Sequence, residues 1–171
     1  IPTAQNPLKK NAPVASDEAR AHMLRLAIAG AAQHVVDERE LERGDFSYTV
    51  DTVDELIREV PGAEWFLILG SDSLAAFDQW RQPQRLLQMV TPAVVQRGGE
   101  EQIDFSVLES MVDRSRLDEI RKHVIPMPLI EVSSSEMRNR VAEGKSIRFR
   151  TPRAVEALIV EQKLYQSGSQ T

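Results

Sequence analysis

Residues 64–69 (EWFLIL) form a nearly continuous apolar run, followed at once by Gly70-Ser71-Asp72 and then by helical patterning over 73–80. This junction constrains the fold more than any other segment. A half-wet strand alternates apolar and polar residues, whereas a run apolar throughout predicts a strand covered on both faces, as in a parallel sheet. A strand that turns directly into a helix is also the opening of a βαβ crossover.

The rest of the chain extends the alternation. Ser16 reads as an N-cap, with Asp17 and Glu18 in the first turn where carboxylates suit the helix dipole. The predicted helix carries Met23 and Leu26 on one face and stops at Gly30. Residues 34–36 are a short strand candidate and 37–45 a charged loop. Ser47-Tyr48-Thr49 reads as a capped helix start, with Val53, Leu56, Ile57 and Val60 at helical spacing. After the Gly70 junction come a helix over 84–89, a strand at 93–95, one helix through Leu117 and Ile120, and strand material within 124–132 broken by Pro126 and Pro128. Ser133-Ser134-Ser135 caps a helix over 136–143 that Gly144 stops. Thr151-Pro152 predicts a cap followed by Pro at the first helical position of the last helix. The expected class is α/β: a Rossmann-like, doubly wound, mostly parallel sheet with helices on both faces. Residues 1–171 read as a single domain.

Composition narrows the function classes. With 26 acidic and 21 basic residues the net charge is −5, which argues against a dedicated nucleic-acid binder. The absence of cysteine excludes disulfides, thiolate metal sites and a cysteine nucleophile. His22, His34 and His123 are isolated, in no metal-ligand spacing, and neither a Walker A loop nor G-x-G-x-x-G occurs. No apolar run approaches the roughly 20 residues that span a bilayer, so no membrane role and a cytoplasmic location are expected.

In open α/β sheets, ligands bind beyond the carboxyl ends of the strands. Asp72 stands there, where it could bond a ribose hydroxyl or cap the following helix. Ser133, Ser134 and Ser135, with Arg138 one turn on, combine helix-start amides, hydroxyls and a planar cation suited to phosphate. A plain serine cap beside a solvated arginine satisfies the same pattern. Lys9 and Lys10 fit either a phosphate contact or a solvated loop.

Taken in order, four blocks resemble the bacterial nicotinate-nucleotide adenylyltransferase family: Ile1-Pro2-Thr3 through Pro7-Leu8-Lys9; RGDFSYTVDT from Arg43; LGSDSLAAFDQW from Leu69; and VSSSEMR from Val132, with Gly144-Lys145-Ser146, Arg148-Phe149 and Pro152. Each block is weak alone, and their order and spacing are specific. Two departures are Leu8, where many members carry His, and Gly98 after Arg97, where the family often has Pro. The resemblance implies adenylyl transfer from ATP, with Mg²⁺, to nicotinate mononucleotide. Thr49 and the surroundings of Trp80 would hold the nicotinate ring and its carboxylate, and Asp72 would orient the mononucleotide. Ser133, Ser134, Ser135 and the catalytic Arg138 would grip the ATP phosphates, and Lys9 would touch one. No protein-held metal is implied, and a homo-oligomer is compatible with it. Alternatives are a sister enzyme acting on nicotinamide mononucleotide or phosphopantetheine, a catalytically impaired nucleotide-binding homologue, and a purely structural α/β domain.

The family also begins with a strand and a G-x-F-x-P-x-H-x-G-H loop, which does not occur in these 171 residues. The chain opens as though inside a strand that is ending. The expectation is that the natural protein carries this unit, roughly 30 residues, ahead of Ile1. The first strand is central in a doubly wound sheet, and its loss leaves a gap among apolar strands.

Overall fold

The computed structural model describes residues 1–8, 13–99 and 102–166. Two compact units account for the chain, one of Ile1–Ser47 with Glu131–Thr171 and the other Tyr48–Ile130. Lys9 and Lys10 lie outside the described residues.

In the first unit, helix α1 (Asp17–Ala27) is capped by Ser16, whose Oγ accepts from the Ala19 amide at 3.2 Å. No strand forms at 34–36, where Val35 is 83% exposed. A strand needs a neighbour to pair its backbone, and a three-residue apolar run does not supply one. The expected charged loop contains α2 (Arg39–Arg43) instead. The Asp37 carboxylate accepts from the Arg39 amide at 3.1 Å and from Arg39 Nε, which starts the turn, and Gly44 ends it in the left-handed region.

The second unit opens with α3 (Thr49–Glu59), then β1 (Phe66–Gly70), α4 (Ser71–Ala75), a 3-10 turn at Phe77–Gln79, α5 (Pro83–Met89) and β2 (Thr91–Arg97). It continues with α6 (Ser106–Glu109), α7 (Arg114–Arg121) and β3 (Val124–Met127). The three strands are parallel in the order β1-β2-β3, with Ile68 beside Ala93 and Val94 beside Val124. The helix expected over 73–80 is therefore split, and the segment after Gln96 holds two helices rather than one. Pro92 sits inside β2, which shortened the strand read from sequence. Alternate amides along a strand point to opposite neighbours. Thr91 donates to Trp65 in line with β1 and Val94 to His123 before β3, so the missing Pro92 amide falls where β3 has not begun.

Leu69, Leu74, Phe77, Leu86, Leu87, Val94, Leu108 and Ile120 form the core of this unit. The other face of the sheet is not covered as the EWFLIL run predicted: Phe66 is 49% and Ile68 69% exposed, and Ile125 is also exposed. Continuous apolar character does not by itself say which face a neighbour covers. Gly98 follows β2 at a close approach, since a Cβ there would stand 2.4 Å from the Leu129 amide nitrogen.

The first unit resumes with α8 (Ser134–Ala142) and α9 (Arg153–Glu161). Pro152 occupies the cap position of α9, one residue later than the Thr151 cap predicted. α1 packs on α9, and Ile147, Val155 and Ile159 gather Met23, Leu26, Met137 and Leu164 into a second core.

Candidate active site

Thr49, Asp72 and Trp80, expected to hold the mononucleotide, all lie in the Tyr48–Ile130 unit. Asp72 stands in the first turn of α4, immediately after β1, with its side chain 83% exposed. Gly70 occupies the cap position and no side chain caps this helix, so capping does not account for Asp72. Its partner is Arg97 at the carboxyl end of β2, whose Nη1 donates to Asp72 Oδ2 at 3.5 Å. A carboxylate and a guanidinium thus share the strand-end rim where α/β sheets bind ligands. Sequence reading missed Arg97, because its neighbour is 25 residues away in the chain.

Thr49 is the first helical residue of α3. The side-chain cap expected here is not formed: Tyr48 holds the cap position, and the Ser47 hydroxyl accepts from Arg43 Nη1 at 3.1 Å. The first-turn amides of α3 are thus left without a side-chain acceptor. Trp80 stacks on the buried Phe77 ring, 5.1 Å between centroids, which ties its indole to the core while part of it stays exposed.

The serine segment belongs to the other unit. Ser133 Oγ accepts from the Glu136 amide at 3.1 Å, so this hydroxyl closes the first turn of α8. Ser135 Oγ accepts from Arg138 Nη2 at 3.2 Å, bringing those two side chains together one turn apart. Ser134 and Arg138 line a cavity of about 350 Å³ with Arg150, Thr151, Tyr165 and apolar side chains such as Met137. Arg150 is held by Glu136 at 2.9 Å. Burial pushes the Tyr165 phenol up from its ordinary value, opposed by the Arg138 and Arg20 charges. The cavity therefore joins apolar side chains to the Arg138 guanidinium and to an Arg150 already paired with Glu136. The cation at Arg150 was also unread in the sequence, since it reaches Glu136 from 14 residues away.

The profile of the cytidylyltransferase-like family matches residues 1–140, a span that includes every described candidate residue above from Thr49 to Arg138. A protein of Rhodopirellula baltica described as a probable nicotinate-nucleotide adenylyltransferase is 46% identical over 166 residues, covering 97% of this chain and 78% of the relative. This chain belongs to the nicotinate-nucleotide adenylyltransferase family. A second relative so described, from Herpetosiphon aurantiacus, is 37% identical to this family member over 96% of the chain and 81% of its own length. Among solved structures, Plasmodium falciparum nicotinic acid mononucleotide adenylyltransferase complexed with NaAD matches with a TM-score of 0.60 at 14% identity, over 92% of this chain and 78% of that one. The same enzyme complexed with APC matches with a TM-score of 0.57 at 15% identity, over 86% and 75% of the respective chains. That likeness is one of fold, and it makes this adenylyltransferase family member Rossmann-like α/β.

Proposed function

We propose that the chain transfers the adenylyl group of ATP to nicotinate mononucleotide, releasing pyrophosphate and forming deamido-NAD. The observation that carries this reading is the 46% identity to a probable nicotinate-nucleotide adenylyltransferase along 97% of the chain. The exposed Asp72–Arg97 pair at the strand ends and the Arg138–Ser135 contact beside a cavity add physical support.

In the reaction a phosphate oxygen of nicotinate mononucleotide attacks the α-phosphorus of ATP in line. The bond to the bridging oxygen breaks, and its electron pair leaves with pyrophosphate. No covalent enzyme intermediate is needed, so the protein acts by positioning and by stabilising phosphate charge. Thr49 and Trp80 would hold the nicotinate moiety and Asp72 the ribose. Ser134, Ser135 and Arg138 would hold the ATP phosphates, with the Ser133 cap fixing the start of α8, and Lys9 would supply a further phosphate contact. Mg²⁺ would enter as MgATP. Among the described residues no group of His, Cys, Asp or Glu could hold a metal ion. Among the same residues no helix is long and apolar enough to cross a membrane. The reading implies a cytoplasmic enzyme of NAD synthesis.

The test is pyrophosphate release by the full-length gene product with MgATP and each acceptor in turn. Release with nicotinate mononucleotide, together with deamido-NAD on chromatography, is expected. Nucleotide binding without pyrophosphate would reduce the protein to a binding homologue. Faster turnover of nicotinamide mononucleotide or phosphopantetheine would assign it to a sister reaction.

A further inference from the structure

Arg150 carries no role in the assignments above, although it lines the cavity beside Ser134 and Arg138. Its Nη1 donates to Glu136 Oε1 at 2.9 Å, reaching back to the first turn of α8. The segment after α8 is built to bring it there. The Arg140 guanidinium clamps the Ser146 carbonyl, with Nε at 2.9 Å and Nη2 at 2.7 Å. Ile147 is buried in the core of this unit, and the Arg150 amide donates to the Ile147 carbonyl at 3.1 Å. Between them Phe149 takes a left-handed φ of 64°, unfavourable for a bulky side chain, and is 93% exposed. The turn thus forgoes aromatic burial and a relaxed backbone while delivering Arg150 to Glu136. Backbone strain of this kind persists where the surrounding structure enforces it.

Glu136 is the residue that needs such a partner. A carboxylate in the first turn of a helix suits the dipole, but it competes with an incoming phosphate for the same positive end. Arg138 does not neutralise it. Residues two apart on a helix do not face each other, and Arg138 Nη2 donates to Ser135 Oγ instead. We propose that Arg150 balances charge at the phosphate site: by neutralising Glu136 it keeps that carboxylate from repelling the phosphates held by Ser135 and Arg138. The inference rests on the phosphate role proposed above and adds a residue that acts through another rather than on the nucleotide. With Glu136 42% and Arg150 39% exposed, the ion pair contributes little to stability. Its consequence lies in the field at the start of α8.

The experiment measures the Kd for MgATP by calorimetry, and kcat with nicotinate mononucleotide, on the full-length protein and on Arg150→Gln, Glu136→Gln and the double variant. Arg150→Gln should raise Kd about 3- to 5-fold, the scale of one unit-charge interaction at close range in water, with kcat at saturating MgATP little changed. Glu136→Gln alone should not raise Kd. Joined in one chain, the two substitutions should return Kd to near the wild-type value, because the uncompensated charge is gone. The Arg150→Gln defect should also shrink as salt is raised, since exposed charges are screened. A defect equal in both single variants and persisting in the double one marks a mechanical tie and would overturn the proposal, as would an unchanged Kd in Arg150→Gln. Wild-type protein that binds MgATP but releases no pyrophosphate would overturn the proposed reaction alone. Wild-type protein that does not bind MgATP would overturn both.

Discussion

Arg138 and Ser135 illustrate how little of a phosphate site resides in one side chain. The guanidinium is already held by a hydroxyl one turn away, which reduces the ordering required when an anion arrives. Arg138→Ala is expected to lower turnover by about one order of magnitude or more, the scale of losing a preorganised charge-stabilising donor. A near-normal kcat in that variant would remove Arg138 from the machinery. Asp37 makes a different point at the same scale. Its hydrogen bond from Arg39 holds the carboxyl below its ordinary value of 3.8. The folded state then binds fewer protons at this group than the unfolded state does. The resulting stability is present above that ordinary value and is lost as pH falls through the lowered folded one. Thermal melting of Asp37→Asn against wild type should show a gap at neutral pH that closes on acidification.

At the level of elements, the strand ends decide what the sheet can present. β1 delivers Asp72 and β2 delivers Arg97 because parallel pairing sets Gly70 beside Val95, two residues short of each side chain. Beyond Arg97 the chain passes so close to Leu129 that only a residue without Cβ fits unshifted. This is a physical reason for Gly98. Gly98→Ala should cost about 1–3 kcal/mol by overpacking against backbone, measured by chemical denaturation. An unchanged midpoint would mean that the 97–99 segment shifts without cost.

At the scale of the whole molecule, two cores among the described residues divide the work. Phe77, fully buried among Leu74, Leu86, Leu108 and Ile120, anchors the Tyr48–Ile130 unit and underlies Trp80. Phe77→Ala should destabilise that unit by about 3–5 kcal/mol, seen as earlier unfolding and faster amide exchange over residues 48–130. Protection unchanged there would place the anchor elsewhere.

What the sequence determined by itself follows from local periodicity and local chemistry. The apolar run before Gly70 and the helical spacing after it announce a parallel α/β sheet. Ser16 and Ser133 act as caps as read, because a cap needs only an amide three residues on. Val155, Leu158 and Ile159 are buried as their spacing predicts. Tertiary structure alone decided that residues 34–36 stay out of any sheet, that Phe66 and Ile68 face outward, and that Ser47 turns to Arg43 rather than to α3. It also decided that Arg97 meets Asp72 and that Arg81 settles on Tyr48. Each of these outcomes depends on which distant residue arrives as neighbour, and backbone periods of 2 and 3.6 residues carry no information about that.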